Sequence, residues 1–553
     1  MKISVGLLLI VLAFGPGALS ADPGADIEAG ARLYQQGVLA SGEPLVGHAF
    51  ADVEISGRYA ACVRCHRPSG FGSYEGGYYI PPITAPYLFE GRQISRDDRF
   101  RALFMQAQTA EFRHQVRRVR DRPDYDRASL ARVLREGVDT NGRQLESLMP
   151  RYDLSDADVA NLEAYLATLS REISPGVGDT FVELATIVHA DIPSARREAM
   201  LGTLQSFVDW YNQRTRGDLR LAGHSVYGSS LYTRYSRLYR LHVWEIDGPP
   251  ATWAAQLAEH YEAQPVFAVI SGQVDGPWRE VGKFVDERGI PAIFPITEMP
   301  HEVGLLGGYS VYFNGGLKLE ADLVGNWLTR DQAGPVVQVF DPERSRSRMP
   351  ARHLERRLNA NAQAPAIESV AIDHSQERDS GDGLPAEAET LVVWLDDIDV
   401  ETLGRWKRQT GAARLILPSG ALDVLNGELP DPLADDVLFS HPQALDQAHY
   451  PERFRARAWM NTRGLDYQAQ HVQYRAYYAM LMFRDSFMHL LDHYHRDYLL
   501  EVLEHQIQGS PNPGLYPDME LAPGQRFASK SGYLVAPDPE VPGRLEPVGG
   551  RIV

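Results

Sequence analysis

Three residues with distinctive chemistry lie close together near the start of this 553-residue chain. Cys62 and Cys65 are separated by two residues, and His66 directly follows the second cysteine. The chain contains no cysteine other than these two. A Cys-x-x-Cys-His arrangement can bind a metal, exchange a disulfide or attach a prosthetic group through its two sulfur atoms.

Each of these chemistries needs different surroundings. A zinc site needs further nitrogen or sulfur ligands, but the sequence offers no other cysteine, and no closely spaced histidine pair follows the motif within finger distance. A thioredoxin-like redox pair would follow a buried strand, which the preceding segment ADVEISGRYA does not match. Covalent haem attachment uses both sulfurs as thioethers and the adjacent imidazole as an axial iron ligand. We therefore predict one covalent haem c at Cys62, Cys65 and His66, with zinc binding and thiol redox chemistry as alternatives.

A methionine downstream of the motif is a candidate for the second axial ligand of the iron. Apolar residues recur at helical spacing within residues 125–137 and again within residues 159–169. Met149 and Pro150 lie in the loop between these two predicted helices. Methionine opposite histidine raises the reduction potential of the iron, and Pro150 would restrict the loop backbone. We predict that Met149 is this ligand, although an isolated methionine more often packs in a core.

The N-terminal part of the chain, residues 25–171, resembles a class I, mono-haem cytochrome c. The resemblance is carried by the segments DIEAGARLYQQG, CVRCH and LMPRYDLSDADVANLEAYLATL. It implies an all-α domain whose first and last helices pack across each other beside the haem. It also implies axial ligation by the motif histidine and a downstream methionine, which correspond here to His66 and Met149.

The remainder of the chain has a different pattern. Residues 172–180 contain Pro and Gly without apolar periodicity, and we predict that they form a linker. Through residues 181–553, short apolar runs alternate with amphipathic helical segments in two successive sets. This alternation predicts mainly parallel sheets with helices on both faces. The sequence therefore predicts a multidomain protein, an all-α cytochrome c domain followed by a bilobed α/β domain.

The α/β part is similar in pattern to type I periplasmic solute-binding proteins of the branched-chain amino-acid type. Its best matching segments are PVFAVISGQVDGPWREVGKFVDERGIPAIFPIT and GGYSVYFNGGLKLEADLVGNWL. In that family the ligand lies between the lobes and is held by hydroxyl and backbone N–H groups at strand ends. The resemblance assigns this role to Ser271, Gly272 and Thr297, for which a turn or a helix cap is the alternative. The segment PERSRSRMP departs from the family pattern, so the resemblance does not identify the ligand.

The net charge and the N-terminal segment limit which partners the protein can have and where it is located. The net charge of −18 argues against nucleic acid as a partner, because phosphates would repel such a surface. Residues 1–20 have the basic start, apolar run and small residues of a secretory signal peptide. No later segment is predicted to span a membrane. We therefore expect an exported, periplasmic protein.

The motifs that favour catalysis are few. None of the common hydrolase, zinc-protease or nucleotide-binding motifs occurs. His489 and His493 have metal-ligand spacing in a predicted helix, but its apolar residues favour a packing role.

From these observations we predict an electron-transfer protein rather than a catalyst. It would carry single electrons through its haem to or from a redox partner, a dehydrogenase or a respiratory-chain cytochrome. A small-molecule ligand would bind between its lobes. The alternatives are a haem-based sensor and a peroxidase-like haem enzyme with an open iron position.

Overall fold

The computed structural model divides into two compact units, Met1–Ile173 and Ser174–Val553. The predicted signal peptide lies outside the described residues. No helix within the described ranges is long and apolar enough to cross a membrane. The residues described are 25–75, 78–90, 122–222, 235–301, 307–331, 334–372, 384–395, 398–424, 437–445, 451–465, 469–509, 514–538, 540–541 and 543–553.

The first unit combines short helices with two small antiparallel sheets. Among its described residues the helices are α1 (Ile27–Gln36), α2 (Val63–His66), α3 (Ala85–Phe89), α4 (Arg127–Arg135) and α5 (Asp156–Leu166). Its strands are β1 (Val46–His48), β2 (Glu54–Ser56), β3 (Ser73–Glu75), β4 (Tyr78–Ile80) and β5 (Arg151–Tyr152). The strands form a sheet in the order β2-β1-β5 and a β3-β4 hairpin.

The prediction of an all-α first unit is therefore wrong. Strands β1, β2 and β5 pair through their backbones, and so do β3 and β4. These strands have only two or three residues each. Segments so short show no alternating apolar pattern, which is the sequence signal for a strand.

Helices α1 and α5, the first and last of this unit, cross at Gly30. A Cβ atom at this position would lie 2.1 Å from the main-chain oxygen of Asn161 and 2.8 Å from the Cβ of Tyr165. The backbone N–H of Asp26 donates to Asn161 Oδ1 at 2.8 Å, which fixes the start of α1 against α5. The close approach of the two helix backbones therefore depends on the absence of a side chain at Gly30.

The second unit alternates strands and helices over most of its length. Its helices are α6 (Ser194–Ala222), α7 (Trp253–Ala263), α8 (Arg279–Arg288), α9 (Leu317–Arg330), α10 (Ser345–Asn359), α11 (Val400–Thr410), α12 (Gly420–Val424), α13 (Pro451–Asn461), α14 (Gln470–His489) and α15 (Arg496–Gly509). Its strands are β6 (Phe181–His189), β7 (Leu238–Ile246), β8 (Ala268–Ile270), β9 (Ala292–Ile293), β10 (Ser310–Val311), β11 (Val336–Phe340), β12 (Ile367–Ala371), β13 (Thr390–Val393), β14 (Arg414–Leu417), β15 (Val437–His441), β16 (Tyr533–Pro537) and β17 (Leu545–Pro547).

These strands form two sheets, each the centre of one lobe. The sheet of the first lobe is wholly parallel, in the order β10-β9-β8-β6-β7. The sheet of the second lobe has the order β12-β11-β13-β14-β15-β16-β17, and only its last two strands run antiparallel to their neighbours. Helices α6, α14 and α15 cover one face of the first sheet, and α7 and α8 cover the other. Helices α9 and α10 cover one face of the second sheet, and α11 and α12 the other. The predicted bilobed α/β arrangement is confirmed.

The chain passes from one lobe to the other three times: after β10, after β15 and before β16. The first and last of these crossing segments run side by side. The backbone N–H of Tyr312 donates to the Arg526 carbonyl at 2.7 Å, and that of Ala528 donates to the Tyr312 carbonyl at 3.0 Å. The rings of Tyr312 and Phe527 stack with centroids 5.5 Å apart. A two-stranded ribbon thus joins the lobes.

The segment before β6, predicted as part of a linker, packs against the second unit from Ser174 onward. Arg496, at the start of α15, holds this segment to the first lobe. Its Nη2 donates to the carbonyls of Val266 at 2.6 Å and Pro175 at 3.3 Å, and to the Tyr261 hydroxyl at 3.1 Å. Its Nη1 donates to the carbonyl of Arg288 at 3.1 Å. One buried guanidinium therefore connects four separate stretches of the chain.

Replacing Gly30 by alanine should destabilise the first unit by about 2 kcal/mol, because the added methyl group overpacks the crossing of α1 and α5. The measurement is thermal denaturation followed by circular dichroism. Gly217→Ala is the matched control, because Gly217 also lies in a helix and a Cβ added there would have no atom within 4 Å. The control should be neutral or stabilising. Equal effects of the two substitutions would argue against the tight crossing at Gly30.

Candidate functional site

Cys62, Cys65 and His66 lie on and beside the short helix α2. Cys62 and His66 are buried, and Cys65 is partly exposed. Burial raises the pKa of the Cys62 thiol to about 12, against the opposing effect of a backbone hydrogen bond. The Cys62 thiol therefore stays protonated at neutral pH in the folded chain.

A backbone carbonyl holds the imidazole of His66. The Nδ1 atom of His66 is 3.1 Å from the carbonyl oxygen of Pro81. Since a carbonyl only accepts hydrogen bonds, Nδ1 carries the proton and Nε2 keeps its lone pair. Burial lowers the pKa of His66 to about 4, although the bond to Pro81 opposes this shift. A neutral imidazole that donates its other N–H to a carbonyl is the usual form of a metal-ligating histidine.

Two hydroxyl groups fix the backbone around the motif. The Tyr34 hydroxyl of α1 donates to the Arg67 carbonyl at 2.6 Å. Arg67 has a φ of +67°, a conformation that residues other than glycine seldom adopt. The Ser73 hydroxyl donates to the carbonyl of Cys65 at 3.2 Å. The chain therefore holds the motif in one conformation from both sides.

Met149 is partly buried and packs against the core that contains Cys62. Its loop is held by Arg151, whose Nη1 donates to the Met149 carbonyl and whose Nη2 donates to the Leu145 carbonyl at 2.8 Å. Gly137 leaves room for this guanidinium, because a Cβ there would lie 2.0 Å from Arg151 Cζ. The assignment of Met149 as an axial ligand stays a prediction.

The histidines near the end of α14 do not form the arrangement that their spacing suggested. The helix ends at His489, so His493 does not continue the same helical face. The Nδ1 atom of His489 is 2.6 Å from the carbonyl oxygen of Asp485. Across the part of the chain that the structure describes, no three His, Cys, Asp or Glu side chains are grouped to hold a metal ion.

In the first lobe, two buried polar side chains follow strand β8 at the carboxyl edge of the sheet. Ser271 is fully buried with a φ of +57°, and its Oγ has no hydrogen-bond partner among the described residues. Gln273 is also buried, and neither atom of its amide group has a partner in those ranges. A buried polar group without a partner costs about 1–3 kcal/mol. These side chains therefore have hydrogen-bonding capacity that the described residues do not use.

Gly272 and Thr297 lie at the same edge. Gly272 has a φ of +114°, and a Cβ there would lie 3.0 Å from the Ile187 carbonyl oxygen, so the turn requires glycine. Its carbonyl accepts from the N–H of Ile296 at 2.9 Å, which places Thr297 beside the β8 turn. The hydroxyl of Thr297 accepts from the Met299 N–H at 3.1 Å and so closes a turn of its own. The structure thus brings together Ser271, Gly272 and Thr297, with Thr297 in a structural bond.

An ion pair joins the two lobes next to this edge. Arg346, in the first turn of α10, lies 2.5 Å from the carboxylate of Glu298 in the first lobe. The backbone N–H of Leu317, at the start of α9, also donates to the Glu298 carbonyl, at 2.9 Å. Arg346 belongs to the segment PERSRSRMP. The segment that departs from the expected pattern therefore contacts the opposite lobe.

The second lobe has a buried carboxylate at its own strand ends. Glu320, in the first turn of α9, accepts from the Ser419 hydroxyl at 2.7 Å and the Ser419 N–H at 2.8 Å. It also accepts from the Ser440 hydroxyl at 2.5 Å. Burial raises the pKa of Glu320 to about 7, although these hydrogen bonds lower it. Glu320 thus ties α9 to the ends of two strands and titrates near neutral pH.

The Glu320→Gln substitution should remove a pH dependence of stability. The pKa of Glu320 rises from 4.5 to about 7 on folding, so the folded protein keeps a proton that the unfolded chain loses between these values. The free energy of unfolding of the parent protein therefore falls by about 3 kcal/mol as the pH rises from 4.5 to 7, because Glu320 must stay protonated in the folded state while the unfolded chain releases the proton. The parent-minus-variant difference in free energy of unfolding, from urea denaturation, should fall by this amount across the window.

The control for this prediction is Glu368→Gln, an exposed carboxylate on strand β12 of the same lobe. It should leave the pH profile of the parent unchanged. A parent-minus-Glu320→Gln difference that is constant between pH 4.5 and 7 would show that Glu320 does not titrate there.

No protein-family model matches this sequence, and no curated protein matches it either. Solved structures do resemble it. A fatty acid ABC transporter substrate-binding protein from Thermomonospora curvata is 14% identical, with 69% of this chain and 94% of that chain covered and a TM-score of 0.47. A branched-chain amino-acid ABC transporter protein from Thermus thermophilus with bound valine is 12% identical, covers 68% and 97% and has a TM-score of 0.48. A leucine-binding protein from Thermotoga maritima is 12% identical, covers 67% and 98% and has a TM-score of 0.45.

These similarities agree with the bilobed α/β fold and contradict the function predicted from the sequence. That function was an exported c-type cytochrome carrying single electrons between redox partners. The solved structures named above are described as a substrate-binding protein, an ABC transporter protein with bound valine and a leucine-binding protein, and they match about two thirds of the chain. The assignment of the whole chain as an electron-carrying cytochrome is therefore wrong, and a redox partner is not supported. The error arose because one short motif outweighed the far longer α/β pattern.

Proposed function

We propose that this protein is an exported, periplasmic solute-binding protein whose α/β unit binds a small molecule between its lobes. The observation that carries the proposal is the pair of buried side chains, Ser271 and Gln273, without partners among the described residues. They follow β8 at the carboxyl edge of a parallel sheet. In open α/β sheets this edge is where ligands bind. The predicted signal peptide at residues 1–20 is the basis for proposing export.

The chemistry of the edge indicates the class of solute. The Ser271 hydroxyl and the Gln273 amide offer donors and an acceptor without a formal charge. Such groups suit a carboxylate or carbonyl oxygen and an N–H or hydroxyl on the same small molecule. The nearby charges of Glu298 and Arg346 neutralise each other in the ion pair across the lobes. We therefore expect a small polar solute that carries little net charge.

Thermal denaturation of the full chain with single solutes tests this proposal. The panel is valine, leucine, octanoate, succinate and glucose, each in large excess. A solute at 100 times its Kd stabilises by about 2.7 kcal/mol, which raises the midpoint by a few degrees. The Ser271→Ala and Gln273→Leu variants should lose that shift. The matched control is Gln363→Leu, an exposed residue of the second lobe, which should keep it.

Two outcomes of the panel count against the proposal. A flat response of the parent protein to every solute would remove its basis, since binding must raise the midpoint. If Gln273→Leu keeps the solute-induced rise in midpoint as fully as the control Gln363→Leu does, the solute binds away from the β8 turn.

We propose in addition that the first unit carries one covalent haem c, bound through Cys62 and Cys65. When bound, the haem supplies an iron centre that takes axial ligands. His66 fits the proximal position, because its buried, neutral ring is oriented by Pro81. Met149, in a loop that Arg151 holds in place, would supply a thioether sulfur as a second ligand to that iron. Pigment that resists extraction with acidified organic solvent would support this proposal, and an uncoloured protein would contradict it.

A further inference from the structure

A cavity of about 570 Å³ lies on the second lobe between the C-terminal ends of α9 and α10. Helices in such a lobe run opposite to the strands, so this end lies away from the strand ends that hold Ser419 and Ser440. The residues that line it are mostly basic or polar in type, although apolar atoms, such as the side-chain stems, form most of the accessible surface. They include Asn326, Thr329, Arg330, His353, Arg356 and Arg357. The cavity is therefore distinct from the edge assigned to the solute.

One carboxylate orients two of the basic side chains. Asp322 Oδ1 accepts from His353 Nε2 at 2.8 Å and from Arg357 Nη1 at 2.9 Å. Arg357 Nη2 also donates to Asn326 Oδ1. The stem of Arg357 passes over Gly325, where a Cβ would lie 2.9 Å from Arg357 Cδ. The guanidinium is thus held in place before any ligand arrives, which lowers the entropic cost of binding.

Positive charge exceeds negative charge in this cavity. Arg330, Arg356 and Arg357 each carry one positive charge, and Asp322 supplies one negative charge. Asp331, directly after the end of α9, lies 3.0 Å from Arg414, so its charge is already paired. Guanidinium groups that line one cavity repel one another, and an anion bound between them would offset this repulsion. The cavity therefore favours a ligand with more than one negative charge.

We propose that this basic cavity binds a multiply charged oxyanion, a small molecule carrying either a phosphate group or several carboxylates. Its volume falls within the range of small-molecule sites. Guanidinium groups bind both kinds of oxyanion through paired N–H···O bonds. The site is independent of the solute site between the lobes.

Isothermal titration of the full chain at low ionic strength with pyrophosphate and, separately, with citrate tests the proposal. At least one of them should bind saturably, and added salt should weaken the binding. Arg356→Ala and Arg357→Met should each weaken it about tenfold or more, the loss expected for a charged hydrogen bond. Gly325→Ala should weaken it as well, because the methyl group displaces the stem of Arg357. Arg352→Ala is the control: Arg352 is an exposed arginine of the same helix that does not line the cavity.

The outcomes separate the ligand classes and the site. Binding of pyrophosphate alone supports a phosphate ligand, and binding of citrate alone supports a polycarboxylate. No saturable binding of either anion at millimolar concentration would overturn the proposal. If Arg352→Ala weakens binding as much as the cavity variants do, the effect is one of general charge and not of a site, and this result would also overturn the proposal. If Gln273→Leu loses anion binding while Arg357→Met keeps it, the anion binds between the lobes and not in this cavity, which overturns the proposal.

Discussion

Exchange of both Cys62 and Cys65 for serine should abolish covalent pigment completely. The parent protein, matured in a host with the haem-attachment machinery, should keep its colour in acidified organic solvent. Two thioether bonds survive this treatment, whereas haem held only by axial ligands is extracted. The double variant has no sulfur with which to form either bond. The measurements are the visible absorption of the extracted protein and the mass of the intact chain.

Met149→Ala is the control that distinguishes covalent attachment of the haem from axial ligation of its iron. It should keep the covalent pigment, because both thiols remain, but its absorption spectrum should change if Met149 binds the iron. A double serine variant that retains extraction-resistant colour would contradict attachment at these two residues. An unchanged spectrum in Met149→Ala would show that Met149 is not an axial ligand.

Arg496→Met should destabilise the second unit by about 4 kcal/mol, with a lower midpoint in urea denaturation. Methionine fills similar space but donates no hydrogen bond, so the carbonyls of Pro175, Val266 and Arg288 would lose their bonds to the guanidinium. Each buried acceptor left without its partner costs about 1–3 kcal/mol. Because Arg496 itself is buried, water cannot readily take its place.

The matched control for this prediction is Arg240→Met in the same lobe. Arg240 pairs with Glu183 at 2.7 Å, but half of its side chain is exposed, so the loss should stay within about 1 kcal/mol. A loss of similar size in both variants would mean that Arg496 contributes no more than a surface arginine.

The fold of the second unit could be predicted because its sheets are parallel and buried on both faces. Strands such as β6 and β13 then appear as mostly apolar runs, and the intervening helices are long enough to show their own period. The first unit was harder, because strands β1 and β5 are three and two residues long. Their pairing is set by tertiary contacts that leave no periodic signal.

Some candidate site residues could be predicted from the sequence, and others could not. Cys62, Cys65 and His66 are adjacent in sequence, so their spacing alone drew attention to them. Pro81 acts through its backbone carbonyl, a group that every residue has, and no sequence pattern could have identified it. Gln273 follows two predicted ligand residues at a strand end, so the same argument could have included it.

The paired crossing segments restrict how the two lobes can move. Tyr312 is bonded to both Arg526 and Ala528, so sliding or twisting one segment past the other would break backbone hydrogen bonds. Flexing both segments together would keep these bonds intact. These bonds therefore favour a hinge motion of the lobes over sliding or twisting, and a protease cut in one of the two segments would leave that segment bonded to the other.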